Sequence, residues 1–284
     1  MYAGRGLVEV MLNRGKDRLD LVCLARGLFQ SRERARAVIM AGSVRVNGEV
    51  LDKPGARISP DAVIEVTDEP HRFVSRGGLK LAHALSAFGI DVRGATAIDV
   101  GASTGGFTDC LLKNGAAVVY AVDVGYGQLA WELRSDPRVI VMEKTNARFL
   151  RKTDVAPCDI ATVDVSFISL KLILPPLYDI VIPGGDIVAL VKPQFEAGRE
   201  GVGKGGVVRD ETVHLDVLRT LVRFVSDSGR TAKAVCPSPV RGPKGNLEFL
   251  LHIKNGPCDD GVDTGAELQR IVQQAHVESR GRTR

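Results

Sequence analysis

Apolar and polar positions follow two different rhythms along the chain. Up to about residue 66 the pattern is short and broken. Over Arg18–Phe29 the residues Leu19, Val22, Cys23 and Arg26 recur at helical spacing until Gly27 stops the helix. Ser31, a favourable N-cap, opens a second helix that carries Arg32, Arg34 and Arg36 and ends at Gly42. Val44–Val46, the turn Asn47-Gly48 and Glu49–Leu51 predict a tight hairpin, and Ala62–Val66 a further strand. Pro70 then interrupts, and a helix opening at Ser75-Arg76-Gly77-Gly78-Leu79-Lys80-Leu81 sets Leu81, Leu85 and Phe88 on one face before Gly89. Lys80 lies one position off that stripe, where a lysine is ordinarily solvated.

Past Ile90 the rhythm changes to apolar runs alternating with amphipathic stretches. Strands are predicted at Ala97–Gly101, Ala117–Asp123, Arg138–Met142, Asp159–Asp164 and Asp186–Val191, with a helix over Gly106–Asn114. This is the signature of a parallel sheet. Ala197–Val208 is too glycine-rich to pack a core and is expected as a mobile loop, either a lid or a connector. A strongly amphipathic helix over Glu211–Ser228 follows, and Thr231–Cys236 with Leu247–Ile253 reads as an antiparallel closing pair. The end of the chain, with Arg280, Arg282 and Arg284, reads as an exposed end or frayed helix.

The first parallel strand runs directly into Gly101-Ala102-Ser103-Thr104-Gly105-Gly106-Phe107. Such a loop lets backbone N–H groups approach a ligand, and the helix behind it points its positive end there. Asp123 falls 22 positions after Gly101, the distance at which an acid at the end of the second strand meets a ribose hydroxyl. Asn146, after the third strand, either lines an adenine pocket or closes a turn. In an open parallel sheet the strand carboxyl ends share one crevice, so Gly101, Asp123, Asp164 and Lys192 converge. A lysine beside a cofactor cradle can serve as base or stabilise a developing alkoxide, with Asp164 and Glu248 tuning it.

Composition adjusts this picture in three places. The 284 residues are 44% apolar with mean hydropathy +0.04, enough for an ordinary domain and a small one. No run approaches the roughly 18 apolar residues of a membrane helix, and the start shows no secretory pattern, so a cytoplasmic protein without stable membrane insertion is expected. Cys23, Cys110, Cys158, Cys236 and Cys258 are scattered singly, which speaks against disulfides and a metal site. Residues 1–60 hold 11 Lys and Arg against 6 Asp and Glu, while the remainder holds 27 against 28. The basic excess thus sits in the N-terminal fifth, as for a polyanion-binding appendage on a near-neutral body.

Two resemblances carry the reading further. Residues 17–67, with Ser-Arg-Glu-Arg-Ala before the second helix and Val-Arg-Val-Asn-Gly after it, resemble the αL RNA-binding motif of a small-subunit ribosomal protein, pseudouridine synthases and tyrosyl-tRNA synthetase. This implies that Arg18, Arg32, Arg36 and Lys53 face RNA phosphates. The body resembles the FtsJ-type ribose 2′-O-methyltransferases in its Ser75–Leu81 helix, its Asp99–Phe107 cradle and a Lys-Asp-Lys-Glu set at Lys80, Asp164, Lys192 and Glu248. Joined together, the two are similar to the TlyA family of ribosomal RNA methyltransferases, also labelled hemolysins. Asp123–Trp131 and Lys192–Glu196 are especially family-like.

The resemblance implies a Rossmann-like α/β sheet with an antiparallel closing strand, behind a small α+β RNA-binding domain. It implies S-adenosylmethionine bound by Asp99, Gly101, Ser103, Thr104, Gly105, Gly106, Phe107, Asp123, Asn146 and Asp164. The activity implied is methyl transfer to the 2′-hydroxyl of a cytidine in ribosomal RNA, free or within subunits, without a metal. The domain division expected is 17–67 for RNA binding, 68–76 as linker, 77–258 for methyl transfer and 259–284 as tail. In the linker, Phe73 stands where some members have Trp. Four rivals fit less well, base methylation among them because Asp164-Val165-Ser166-Phe167 lacks the prolines expected for amine targets. Arg18-Leu19-Asp20 has the local form of a pseudouridine synthase motif, but it opens the small RNA-binding unit. A membrane-lytic toxin lacks its spanning segment, and an assembly factor needs no polar strand ends.

Overall fold

The computed structural model describes residues 15–29, 31–40, 42–66, 73–242, 244–257, 261–263 and 265–281. Cys258, residues 68–72 of the expected linker and the terminal Arg282 and Arg284 lie outside them. The chain divides into two compact units, Met1–Arg76 and Gly77–Arg284.

The first unit contains β1 (Asp17–Arg18), α1 (Leu19–Ala25), α2 (Arg32–Met40), β2 (Val44–Val46), β3 (Glu49–Val50), β4 (Arg57–Ile58) and β5 (Ile64–Val66). The β2–β3 hairpin turns at Asn47 and Gly48, both at positive φ, as an Asn-Gly turn requires. β5 pairs with the other edge of β2, and β1 pairs with β4. Leu19, Val22, Cys23, Ala35, Ile39, Val44 and Ile58 close a small core. The face of α1 that buries Leu19, Val22 and Cys23 is the predicted one, whereas Arg26 lies outside it. Arg26 is exposed, and its guanidinium donates to the carbonyls of Ala62 and Pro60.

The second unit begins with α3 (Gly77–Phe88) and continues β6 (Thr96–Val100), α4 (Gly106–Lys113), β7 (Val118–Val122), α5 (Trp131–Arg134), β8 (Val139–Met142), β9 (Cys158–Val163), α6 (Leu174–Ile180), β10 (Val181–Val191), α7 (Pro193–Glu196), α8 (Glu211–Asp227), β11 (Thr231–Pro237), β12 (Phe249–Lys254) and α9 (Ala266–Gly281). The seven strands are ordered β11-β12-β10-β9-β6-β7-β8. Every neighbouring pair from β10 to β8 is parallel, and β12 runs antiparallel between β10 and β11. The chain therefore forms the predicted doubly wound sheet with an antiparallel closing strand. The topological switch lies between β6 and β9, where a crevice opens at the strand carboxyl ends.

Ile187, Val188, Ala189, Leu190 and Val191 of β10 are all buried, the unbroken apolar run of a strand covered on both faces. α8 starts at Asp210, whose side chain accepts from the Thr212 amide, and buries Val217, Leu218, Leu221, Val222 and Val225 at helical spacing. The tail differs from expectation. α9 spans Ala266–Gly281 and places Leu268, Val272 and Ala275 in the main core, packed against α8. Leu268, Val272 and Ala275 carry a 4-then-3 spacing that the flanking arginines obscure. Among the described residues, no helix is long and apolar enough to cross a membrane.

Candidate active site

The cradle is built where β6 meets α4. Gly101 adopts φ +87°, and a Cβ there would stand 2.5 Å from the carbonyl oxygen of Asp164. Glycine at 101 thus lets the β9 terminus lie against the loop, joining the cradle to the first candidate catalytic carboxylate. Ser103 sits at φ 48°, and Gly105, the residue ahead of α4, at φ 97° against Leu129 and Leu133. The first amides of α4, at Gly106 and Phe107, have no acceptor within their own helix and make its N-terminus a donor surface. Phe107 itself is buried, so its contribution to the loop is backbone.

Two aspartates near this loop have different fates. Asp99 is fully buried and accepts hydrogen bonds from Thr108 Oγ1 at 2.7 Å and Thr162 Oγ1 at 3.0 Å. It is a strut between β6, α4 and β9 and does not face the cradle; burial, opposed by those bonds, pushes its carboxyl up to about 7. β6 is buried on both faces from Ala97 to Val100, so Asp99 is enclosed whichever face it takes, which the cradle motif alone did not reveal. Asp123 instead stands half-buried at the end of β7, accepting the Ser103 amide at 2.8 Å and the Gly125 amide at 2.6 Å. A carboxylate gathered against the loop by two amides fits a ribose-bearing ligand resting on that loop.

Lys80, Asp164, Lys192 and Glu248, which lie 168 positions apart at the extremes, come together as two ion pairs. Lys192 Nζ stands 2.6 Å from Asp164 Oδ1 and donates to Ser166 Oγ at 2.9 Å. Lys80 Nζ stands 2.6 Å from Glu248 Oε2. Lys80 is 8% exposed, so the solvated position expected for a lysine off the apolar stripe is overturned: Glu248 compensates the burial. Asp164 is close enough to feel both lysines. Burial opposes its ionisation, but Lys192 and Lys80 outweigh it and hold the carboxyl below the ordinary range. Glu248 behaves oppositely, with burial and the nearby Asp164 charge pushing it up against the pull of Lys80.

Asn146 closes a turn: its side chain accepts the Arg148 amide and caps a short 3₁₀ helix over Ala147–Phe149. Around the strand ends the surface is aromatic and basic. Tyr126, Trp131, Phe149 and Phe167 are exposed, Phe167 at 90% and at φ 64° with its ring 4.9 Å from that of Phe195. Lys144 lies over Tyr126 and Arg148 over Phe149. Sequence reasoning missed Ser166, although it sits inside the Asp164–Phe167 motif, and Asn246, whose only signal was its place two residues before Glu248. The expected mobile loop 197–208 is fastened. Val208 donates its amide to Asn246 Oδ1, and Gly206 accepts from Asn246 Nδ2.

In the first unit, Arg18 and Arg32 both reach buried Asp20, at 2.9 Å and 3.0 Å through their Nε atoms, while keeping 44% of each side chain exposed. Arg36 and Lys53 are exposed.

The comparisons with known proteins agree with this geometry. Residues 73–255 match the FtsJ-like methyltransferase family and residues 17–64 the S4 domain. YqxC of Bacillus subtilis, which bears an rRNA methyltransferase name, is 52% identical over 92% of this chain and 94% of its own length. The 16S/23S rRNA (cytidine-2′-O)-methyltransferase TlyA of Mycobacterium tuberculosis is 46% identical over 84% of this chain and 89% of its own. A Streptococcus thermophilus structure bearing a hemolysin name superposes with TM-score 0.76 at 46% identity, covering 95% of this chain and 99% of that one. With an S4 domain ahead of an FtsJ-like body and both lysine–carboxylate pairs assembled at its strand ends, the chain belongs to the TlyA family of FtsJ-like methyltransferases.

Proposed function

We propose that this chain methylates the 2′-hydroxyl of a cytidine in ribosomal RNA, using S-adenosylmethionine held on the Gly101–Phe107 loop. The observation that carries the reading is the pairing of Lys192 with Asp164 at the carboxyl ends of β10 and β9, beside that loop. When bound, S-adenosylmethionine supplies an electrophilic methyl group. The chain must supply the opposite partner, an oxygen nucleophile from a hydroxyl whose pKa lies far above neutrality.

Lys192 is suited to that task. Asp164 and Ser166 hold its Nζ in place, so a hydroxyl set against it meets a cation as negative charge develops on the oxygen, the hydroxyl proton passing to solvent as the methyl group moves from sulfur to oxygen. Lys80 adds a second cation, kept in position by Glu248. Asp123 and the first-turn amides of α4 suit the ribose and the carboxylate of the methyl donor. The exposed rings of Tyr126, Phe149 and Phe167, with Lys144 and Arg148 beside them, suit unstacked bases and backbone phosphates, the form in which RNA is recognised outside duplexes. The S4 domain supplies charge-driven affinity through Arg18, Arg32, Arg36 and Lys53. A cytoplasmic location follows from the substrate.

Labelled S-adenosylmethionine incubated with purified ribosomal subunits tests this directly. Label on the ribose of a cytidine is expected; label on a base, or none with either subunit, overturns the proposal.

A further inference from the structure

Glu248 is nearly sealed from solvent, yet it has one polar anchor. Oε2 meets Lys80, whereas Oε1 is buried without a hydrogen-bond partner in the protein. Its position must therefore come from the backbone that delivers it. That backbone is the turn at Lys244 and Gly245 that ends in Asn246, and Gly242 packs on the carboxylate itself: a Cβ at 242 would lie 2.5 Å from Oε1.

Asn246 governs this turn. It is 2% exposed, and its main-chain carbonyl accepts the Gly242 amide at 3.0 Å. Its side chain spans to the glycine-rich loop, accepting the Val208 amide at 2.9 Å and donating to the Gly206 carbonyl at 3.0 Å. Lys244 adds a bond from Nζ to the Gly205 carbonyl, also at 3.0 Å, and a bridge between Gly203 and Val207 closes the loop on itself. A loop with glycine at 201, 203, 205 and 206 has few side chains with which to anchor itself. It is held by an amide that offers one acceptor and one donor, a combination that neither a carboxylate nor an apolar side chain supplies.

We propose that Asn246 is a positioning residue that couples the glycine-rich loop to the Lys80–Glu248 pair, so that the closed loop sets Glu248 against Lys80. This rests on the methyltransferase reading above and adds a dependence of the buried pair on a distant loop. The residue acts through Glu248; it touches neither substrate nor cofactor.

The test compares full-length wild type, Asn246→Ala, Asn246→Asp, Glu248→Gln and the Asn246→Ala/Glu248→Gln double variant. Methyl transfer to ribosomal subunits, S-adenosylmethionine binding, thermal melting and tryptic cleavage after Lys204 are measured on each. Asn246→Ala is expected to lower kcat by about tenfold or more, as loss of a buried hydrogen-bonded pair does, while cofactor Kd stays within about twofold. Cleavage after Lys204 should accelerate several-fold in the same variant. In the Glu248→Gln background the Asn246→Ala loss should largely vanish, because both changes break one chain of contacts. Asn246→Asp, which keeps the acceptor and loses the donor, should fall between.

Wild-type kcat in Asn246→Ala, unchanged cleavage after Lys204, or losses that multiply in the double variant would each overturn the coupling. A general folding defect would lower cofactor affinity and melting temperature together and would also count against it. Should wild type itself fail to methylate ribosomal RNA, the functional reading falls, and the Lys204 cleavage comparison still decides whether Asn246 holds the loop.

Discussion

Each unit of the molecule contains a partly or fully buried aspartate under the influence of two cations, and the two arrangements do different work. In the N-terminal unit Asp20 receives Arg18 and Arg32, and hydrogen bonds from both hold its carboxyl below the ordinary range against the cost of burial. In the catalytic unit Asp164 lies under Lys192 and Lys80, with the same direction of shift. The cations differ. Arginine stays protonated and presents several donors, so one edge of each guanidinium engages Asp20 while the rest remains open to a phosphate. Lysine is a compact charge on a flexible stem, able to approach a single oxygen and to exchange a proton. The first arrangement is a fixed display of charge, and the second is a reactive one.

The comparison breaks most visibly at Lys192. Lys192→Ala is expected to lower single-turnover methyl transfer at least about a thousandfold, with S-adenosylmethionine affinity retained in calorimetry. Lys192→Arg sharpens the point. If charge alone mattered, arginine would restore activity; the expected outcome is that it does not, because a planar guanidinium cannot occupy the place of Nζ between Asp164 and Ser166.

A third aspartate shows what burial does when no cation is present. Asp99 has two threonine hydroxyls, and its carboxyl is pushed up to about 7. The folded pKa lies above the unfolded one, so the stability this group contributes is fully present below about pH 4 and is lost as pH rises toward 7. A shift of this size corresponds to stability on the order of 4 kcal/mol. Asp99→Asn removes the titration. The difference in melting temperature between wild type and Asp99→Asn should therefore change steadily between pH 4 and 7 and level off above. A difference independent of pH would show that Asp99 is ionised throughout.

These three aspartates also mark how far the sequence could be read. The strand positions and the parallel sheet were legible because apolar runs alternated with amphipathic stretches: β6, β7, β8 and β9 fall within one residue of expectation, whereas β10 starts at Val181, five residues before the predicted Asp186. Lys192 and Asp164 were legible because strand carboxyl ends in a parallel sheet must converge. The environment of Lys80 was not, since a helix position one step off the apolar stripe is solvated unless a distant partner covers it, and Glu248 lies 168 positions away. The tethering of 197–208 was hidden for the same reason, because glycine content reports backbone freedom and says nothing of the Asn246 amide that restrains it. Asp99 belonged to the recognised cradle motif but is enclosed, a fact set by a central strand covered on both faces and by two threonines on other elements.

Asp20 tests the other half of the comparison. Asp20→Ala removes the shared partner of Arg18 and Arg32 and should cost about 1 kcal/mol, because both guanidiniums keep 44% of their side chains exposed and water replaces the lost carboxylate. Hydrogen exchange is the suitable measurement: amides of Leu19–Ala25 should exchange faster while those of β6 and β10 keep their protection. Loss of protection in both units would show that the two are coupled in stability.

The smallest effects are expected where charge is displayed without a structural duty. All four cations are exposed, but Arg18 and Arg32 are also bound to Asp20, so replacing Arg36 or Lys53 by alanine should leave folding and cofactor affinity unchanged. Each should weaken binding to ribosomal subunits by a few-fold and reduce the slope of log Kd against log salt by about one, the loss of a single phosphate contact. Arg18→Ala and Arg32→Ala should instead lower both RNA affinity and the stability of the first unit, because these arginines serve Asp20 and the phosphate together. If all four variants reduced the salt slope equally with no change in hydrogen exchange, the Asp20 pairings would be incidental. The distinction between a structural and a displayed arginine in this unit would then collapse.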